Sequence, residues 1–442
     1  MTHKRYENYV DTQEAWLGSY PSHWGRKPLW TLFRRVKRQG FESEELLSVY
    51  RDHGVIPKSS REDNFNKPSD DLGAYQLVEP GDLAVNKMKA WQGSVAISEH
   101  RGIVSPAYHV YTPLHSENHR FLHYLMRCDR YITGYLSISN GIRINQWDLQ
   151  PEYHSRMPVL LPPLDEQIVI ASFLDHETAK IDALIAEQKH LIELLQEKRQ
   201  AVISHAVTKG LNPNAPMKDS GVEWLGQIPI TWESPSLGVL ISKAELGENF
   251  DSSESNEGLP VIKMGNLGRG FVKLDKVERL TDGAEVGDTT LLRDGDFLFN
   301  TRNSLDLVGK VALWRSELPM ATYNSNILRI NFNAHKVASS DYMSHLFNSS
   351  FGVSQLRALA KGTTNVAAIY YKDLTSFRVL LPSLEEQHAI SKYLDNACAK
   401  IKELIAKAGL AVDLLQERRS ALISAAVTGQ IDVRGLTEEV AA

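Results

Sequence analysis

Between Arg26 and Arg38 the chain carries six basic side chains and no acid: Arg26, Lys27, Arg34, Arg35, Lys37 and Arg38. Cations at this density suit displacement of the counterions condensed on a phosphodiester backbone. Arg34, Arg35, Lys37 and Arg38 are therefore candidate phosphate contacts, with a solvated basic face as the plainer alternative. Lys87 and Lys89 precede Trp91 in a loop that follows Gly81-Asp82, and Arg302 with Asn303 occupies the matching loop after Gly295-Asp296. Arginine and asparagine can meet guanine and adenine edges with two hydrogen bonds at once. Two further stretches combine glycine with small polar residues: Ser139-Asn140-Gly141-Ile142-Arg143-Ile144-Asn145 and Lys361-Gly362-Thr363-Thr364-Asn365. Such residues let backbone N–H groups approach a phosphate closely. Arg143, Asn145, Lys361, Thr363, Thr364 and Asn365 join the candidates, although an ordinary polar turn explains the same letters.

Other chemistries find little support. The chain has no Gly-x-x-x-x-Gly-Lys-(Ser/Thr) phosphate loop and no Asn-Pro-Pro-Tyr or Asp-Pro-Pro-Tyr segment of the adenine methyltransferase kind. Gly265, Gly268 and Gly270 are in the wrong order for a dinucleotide loop and read as a turn between strands. Glu187-Gln188-Lys189 resembles a nuclease Glu-x-Lys, but lies in a helical stretch and reads as a solvated face. Of 15 histidines, five fall between His100 and His123. His119 and His123 would share a helix face, yet no third ligand completes a zinc site, so they are expected to be surface or core residues. Cys128 and Cys398, the only 2 cysteines, exclude a disulfide scaffold and read as small buried hydrophobes.

The candidates recur because the chain is written twice. Leu161-Pro162-Pro163-Leu164-Asp165-Glu166-Gln167 returns 220 residues later as Leu381-Pro382-Ser383-Leu384-Glu385-Glu386-Gln387. Leu194-Leu195-Gln196-Glu197-Lys198-Arg199 returns as Leu414-Leu415-Gln416-Glu417-Arg418-Arg419, and Ala206-Val207-Thr208 as Ala426-Val427-Thr428. From Asp165 to Lys209, 22 of 45 positions match. Upstream, Trp16-Leu17-Gly18 with Pro21 and Trp24 matches Trp224-Leu225-Gly226 with Pro229 and Trp232 at an offset of 208. Gly81-Asp82-Leu83 with Asn86 matches Gly295-Asp296-Phe297 with Asn300 at 214. A constant frame thus carries two divergent inserts.

Each constant block predicts a long helix. Leu174, Ile181, Leu184, Ile185, Leu191, Ile192, Leu195 and Val202 follow helical spacing, as do Leu394, Ile401, Leu404, Ile405, Val412, Leu415 and Leu422. Prolines and then acids mark the starts, Ser383 and Glu386 have capping-box spacing, and Gly210 and Gly429 mark the ends. About 44 residues give a rod of roughly 65 Å. The tryptophans Trp16, Trp24, Trp224 and Trp232 repeat with the frame and are expected to pack against the rods. The inserts read as α+β. Strands are expected near Gly81–Met88, Gly93–Ser98, Gly295–Asn300 and Gly309–Trp314, and short helices near Arg120–Arg127 and Asp341–Leu346. Leu328, Ile330 and Phe332 alternate with Arg329, Asn331 and Asn333 as a half-buried strand would.

Lys plus Arg number 49 against 54 Asp plus Glu, for a net charge of −5, so nucleic-acid binding must rest on local patches or on partners. No apolar run reaches bilayer length, and Met1 to Tyr6 has no apolar core behind its charges, so a soluble, cytoplasmic chain without membrane contact is expected.

The Leu-Pro-x-Leu-(Asp/Glu)-Glu-Gln helix entry, the Leu-Leu-Gln-Glu-(Lys/Arg)-Arg segment, the Ala-Val-Thr exit and the Trp-Leu-Gly…Pro…Trp lead-in occur twice, in order. On these motifs the chain resembles the specificity subunit of type I restriction–modification systems. The resemblance implies an α+β fold with two pseudo-two-fold-related target recognition domains separated by two long antiparallel coiled-coil helices. Residues 1–160 and 211–380 would be the recognition domains, 161–210 and 381–430 the spacer helices, and 431–442 a tail. It also implies a non-catalytic chain that reads a bipartite, asymmetric site in double-stranded DNA. Two methyltransferase subunits and the restriction subunits would dock on it. S-adenosylmethionine, ATP and Mg2+ would belong to those partners, with no cofactor in this chain. The alternatives are a fused methyltransferase or nuclease with unseen motifs, and a coiled-coil scaffold that binds only protein.

Overall fold

The computed structural model describes residues 4–51, 53–61, 68–69, 71–141, 147–221, 225–281, 286–362 and 366–435. The chain divides into two units, Met1–Lys189 with Leu410–Ala442, and His190–Gly409.

The repeated blocks are unbroken helices, Leu164–Lys209 of 46 residues and Leu384–Val427 of 44, about 69 and 66 Å long at 1.5 Å per residue. Acids fill both first turns, Asp165 and Glu166 in one, Glu385 and Glu386 in the other. Ser383 Oγ accepts the Glu386 N–H at 3.2 Å, forming one half of the capping box. The second half is replaced, because the Glu386 carboxylate instead accepts Trp232 Nε1–H at 3.0 Å. Gly210 and Gly429 stop the helices in the left-handed region, at φ of 77° and 69°. A side chain there would be strained, and at Gly429 it would also strike Pro21.

The first unit is built on an antiparallel sheet in the order Phe33–Val36, Tyr108–Pro113, Leu83–Asn86, Val95–Ile97. Alternation sends Leu83, Val85, Val95 and Ile97 to one face, where Phe121, Leu122 and Leu125 of helix His119–Arg127 cover them. Ala84, Ala96 and Val110 face a second cluster with Leu47, Val49 and Val78. The main core also takes Ile170, Phe173 and Leu174 from the start of the first long helix, and Ile423, Ala426 and Val427 from the end of the second. These two helix segments therefore run antiparallel, tied by Arg419 Nε to Asp182 Oδ1 at 2.8 Å.

The second unit repeats the plan with Ile241–Leu246, Ile327–Phe332, Phe297–Asn300 and Val311–Leu313. Phe297, Phe299 and Ile330 pack under Leu346 and Phe347 of helix Ser340–Asn348, with Ile203, Val207, Ile390 and Leu394 from the long helices. Leu298 and Ala312 face a separate cluster with Ile262, Leu267 and Trp314.

Four findings refine the sequence reading or depart from it. Arg329, expected on a solvated strand face, is 7% exposed. Its guanidinium bonds Glu245 at 2.8 Å, Asp296 at 3.3 Å and the Leu291 carbonyl at 3.1 Å, which offsets the cost of burying the charge. Second short helices, Asp129–Ser137 and Ser350–Leu359, follow the expected ones directly. Trp16 packs edge-on against Tyr131 of such a helix, ring centroids 5.3 Å apart, within the core that the long helices share. Cys128 is buried as expected, whereas Cys398 is only half-buried.

Candidate nucleic-acid interface

The frame holds each insert through matched buried polar contacts. Gly25–Pro28 pairs with Pro158–Leu161, and the same register returns in the second unit as bridges Glu233↔Leu381 and Ser236↔Arg378. Gln167, fully buried, donates to the Pro162 carbonyl at 2.9 Å and accepts the Asn118 N–H at 2.9 Å. Gln387 does the same with the Pro382 carbonyl and the Ala338 N–H, both at 2.9 Å. Trp24 and Trp232 lie against the long helices as expected, and Trp24 Nε1 donates to Glu166 at 3.0 Å. Trp224 lies outside the described residues.

On this frame the two kinds of candidate converge. In the first unit the Leu149 N–H donates to the Lys87 carbonyl at 2.8 Å, and Asp148–Leu149 pairs with Ser139–Asn140. In the second, the Ile369 N–H donates to the Thr301 carbonyl at 2.9 Å. There Ala367–Ala368 pairs with both Arg302–Asn303 and Lys361–Gly362 in one small sheet. Lys87 with Leu149 and Thr301 with Ile369 are related by the offsets of 214 and 220 seen in the frame. The loop after the Gly-Asp strand and the segment before the long helix thus form one edge in each unit. Arg143, Asn145, Thr363, Thr364 and Asn365 lie outside the described residues.

Exposed cations line the first edge. Arg34 and Arg35 stand exposed on Phe33–Val36, Lys37 follows them, and Lys89 is exposed beyond Lys87. Lys87 Nζ reaches Asp148 at 3.7 Å. Buried His109 lies between these charges, and burial, the Arg35 guanidinium and the Lys87 ammonium push its pKa down to about 4. Trp91 and Trp147 meet edge to face with centroids 4.9 Å apart. A cavity of about 500 Å3 beside Arg34 and Arg35 is lined by Trp30, Tyr111 and Glu152. Arg38 is placed differently from its neighbours. It bonds Glu79 at 2.5 Å and also pairs with buried Asp82, so its charge is spent inside the unit.

At the second edge Arg302 is exposed, and Asn303 Oδ1 already accepts the Ser304 N–H at 2.9 Å, so its acceptor side is partly spent. Lys361 Nζ is held by Asp373 at 2.7 Å. Arg302 borders a cavity of about 270 Å3 lined by Asn326, Tyr370 and Tyr371. Both tyrosines are exposed, at 56% and 49%, and offer flat faces for stacking on bases. Sequence reasoning missed Trp147, Tyr370 and Tyr371, although each lies just beyond a stretch it singled out.

His123 and His119 line a cleft with Gly81 and Arg120. Burial and Arg127 push the His123 pKa down to about 3, which leaves a neutral ring hydrogen-bonded to Arg127 and the Ile97 carbonyl.

The fold and this edge define a class: a duplicated α+β chain in which a helical frame presents two dissimilar basic edges. No family model matches the chain. It is homologous along most of its length to type I restriction enzyme specificity subunits. It is 22% identical over 427 residues to the EcoKI specificity subunit of Escherichia coli strain K12, covering 88% of each chain. It is 20% identical over 444 residues to the StySPI specificity subunit of Salmonella potsdam, covering 95% of this chain and 92% of that one. A solved chain described under "complex assembly and conformational transition of the type I R-M system" superposes with a TM-score of 0.68 at 16% identity. The match covers 93% of this chain and 99% of that one, and it shows the shared fold.

Proposed function

We propose that this chain is the DNA-specificity subunit of a type I restriction–modification complex. Residues 1–160 and 211–380 would each read one half of a bipartite, asymmetric duplex site, 161–210 and 381–430 would set the gap between the halves, and 431–442 would be a tail. The reading rests on homology to specificity subunits across nearly the whole chain, twice-repeated frame included. The paired edges supply the chemistry: Arg34, Arg35, Lys37, Lys87 and Lys89 in the first unit, Arg302, Asn303 and Lys361 in the second. Exposed cations on a strand and loop position phosphates, while arginine and asparagine on a variable loop can reach base edges. The chain itself performs no reaction in this proposal. Methyltransferase and restriction subunits dock on it and bring S-adenosylmethionine, ATP and Mg2+, and the complex works in the cytoplasm.

The test is methylation mapping. The chain alone should transfer no methyl group, and with cognate methyltransferase subunits it should direct adenine methylation to one bipartite motif. Exchanging residues 30–155 for a relative's should change one half of that motif, and four residues inserted near Gln188 should change only the gap. Arg302→Ala should weaken cognate binding by about 1–3 kcal/mol and relax the motif at one position. Methylation by the isolated chain, or both halves changing together after the exchange, would sink the proposal.

A further inference from the structure

The turn at 263–276 has no counterpart among the described residues of the first insert, and it lies outside the base-reading edge. Its form is fixed by Asn266, 6% exposed, which accepts the Lys263 N–H at 2.9 Å and donates to the Lys273 and Lys276 carbonyls at 3.0 and 2.8 Å. The Gly270 N–H donates to the Val311 carbonyl at 2.7 Å, which docks the turn beside Lys310. The Lys310 carbonyl in turn accepts the Asn300 N–H at 2.9 Å, next to the loop that carries Arg302. Arg269, Lys273 and Lys310 are thereby gathered.

These cations are poorly compensated. Among the described residues neither Lys273 nor Lys310 forms an ion pair with an acid. Arg269 Nη2 donates to the Asp306 carbonyl at 3.3 Å, while the Asp306 carboxylate is taken by Arg357. Arg269 Nη1 is buried without a hydrogen-bond partner. Burial and the neighbouring Lys273 and Arg269 push the Lys310 pKa down, and burial with Arg357 does the same to Arg269. A fold gains nothing by converging like charges around an orphaned donor, but an anion seated there would offset both costs.

We propose that Arg269, Lys273 and Lys310 form a phosphate-binding site of the second unit, which grips a backbone phosphate of the DNA whose bases face Arg302. The partner named here rests on the DNA reading above; the anion site itself rests on three cations with no acid partner among the described residues, Lys273 resting on the Phe271 ring at 5.9 Å. The turn, fixed by Asn266 and docked on the Val311 carbonyl, places Arg269 and Lys273 beside Lys310 before the ligand arrives.

The test compares wild type with Lys273→Gln/Lys310→Gln and with Arg269→Gln, each as the full chain with methyltransferase subunits on cognate duplex. A phosphate clamp predicts that the double variant lowers the slope of log affinity against log salt by about 1. The methylated motif stays unchanged, and the melting temperature of the free chain is unchanged or raised, since repulsion is relieved. Pyrophosphate should raise the melting temperature of wild type and not of the double variant. Where the wild-type complex binds DNA, a double variant with the same salt slope overturns the DNA role, and equal pyrophosphate responses of the two overturn the site. Melting temperatures that fall in step with affinity would also overturn it by showing a structural role. A pyrophosphate response in a wild-type complex that ignores DNA keeps the anion site and rejects the specificity-subunit reading.

Discussion

Glu166 and Glu386 stand at the same point of the repeat, and each takes a tryptophan indole, yet their surroundings differ. Glu166 also accepts from Tyr6 OH at 2.6 Å and meets His23 Nε2 at 2.9 Å, both from the N-terminal segment. In the first unit that segment is joined by the chain's end, with the Asp432 N–H on the Lys4 carbonyl at 2.8 Å and Tyr9 OH on the Gly429 carbonyl at 2.8 Å. In the second unit the corresponding stretch is continuous, running from Gly210 into Met217–Asp219. The first unit thus uses hydrogen bonds, backbone and side-chain, where the second has a peptide connection. The inserts differ more. The first buries histidines between its sheet and its edge, whereas the second buries phenylalanines and adds the cationic turn at 263–276. A repeated frame tolerates this because its own contacts, the two glutamines and the two indoles, are satisfied without the edges.

Acid separates the units most strongly. Burial holds His154 at about 3 and, with Arg35 and Lys87, His109 at about 4, both below the unfolded value. The unfolded chain therefore binds more protons between pH 6.5 and about 4, so stability is lost as pH falls through that window. At pH 5 each histidine costs about 2 kcal/mol. Hydrogen exchange at pH 5 and 7 should show the first unit's sheet opening well before the second's, and parallel loss would remove the contrast. The frame glutamines should be equivalent. Gln167→Leu and Gln387→Leu each strand a buried N–H and a carbonyl and should each cost about 3 kcal/mol; values differing by more than half would show that the frame is not matched. The glutamates should not be equivalent. Glu166→Gln, with three donors to satisfy, is expected to cost about 2 kcal/mol and Glu386→Gln about 1 kcal/mol in denaturant titration. Equal costs would mean that the N-terminal segment contributes little to the first unit.

The repeat made the helices legible: matched entries, exits and spacing predict 161–210 and 381–430, and the helices run Leu164–Lys209 and Leu384–Val427, starting about one turn later because the entry prolines stay outside them. Short strands beside Gly81 and Gly295 were visible because glycine and alternation bound them. Asp129–Ser137 and Ser350–Leu359 were not, because each follows another helix with a single capping residue between them, Cys128 or Ser349. Arg38 and Arg329 look from their letters like solvated or DNA-facing cations. Their carboxylate partners, Asp82 and Asp296, are more than 30 residues away in sequence, so no local pattern announces the pairing.

Sequence alone determined the duplication, the long helices and the two variable segments of each insert that carry cations, since periodicity, capping and repetition are local properties of the chain. The tertiary structure decided that those two segments join into one edge, that Arg38 and Arg329 are spent on buried carboxylates, and that Arg269, Lys273 and Lys310 are neighbours with no acid partner among the described residues. Convergence of residues remote in sequence depends on sheet register and on the solvation of each charge. Neither is fixed until the core closes.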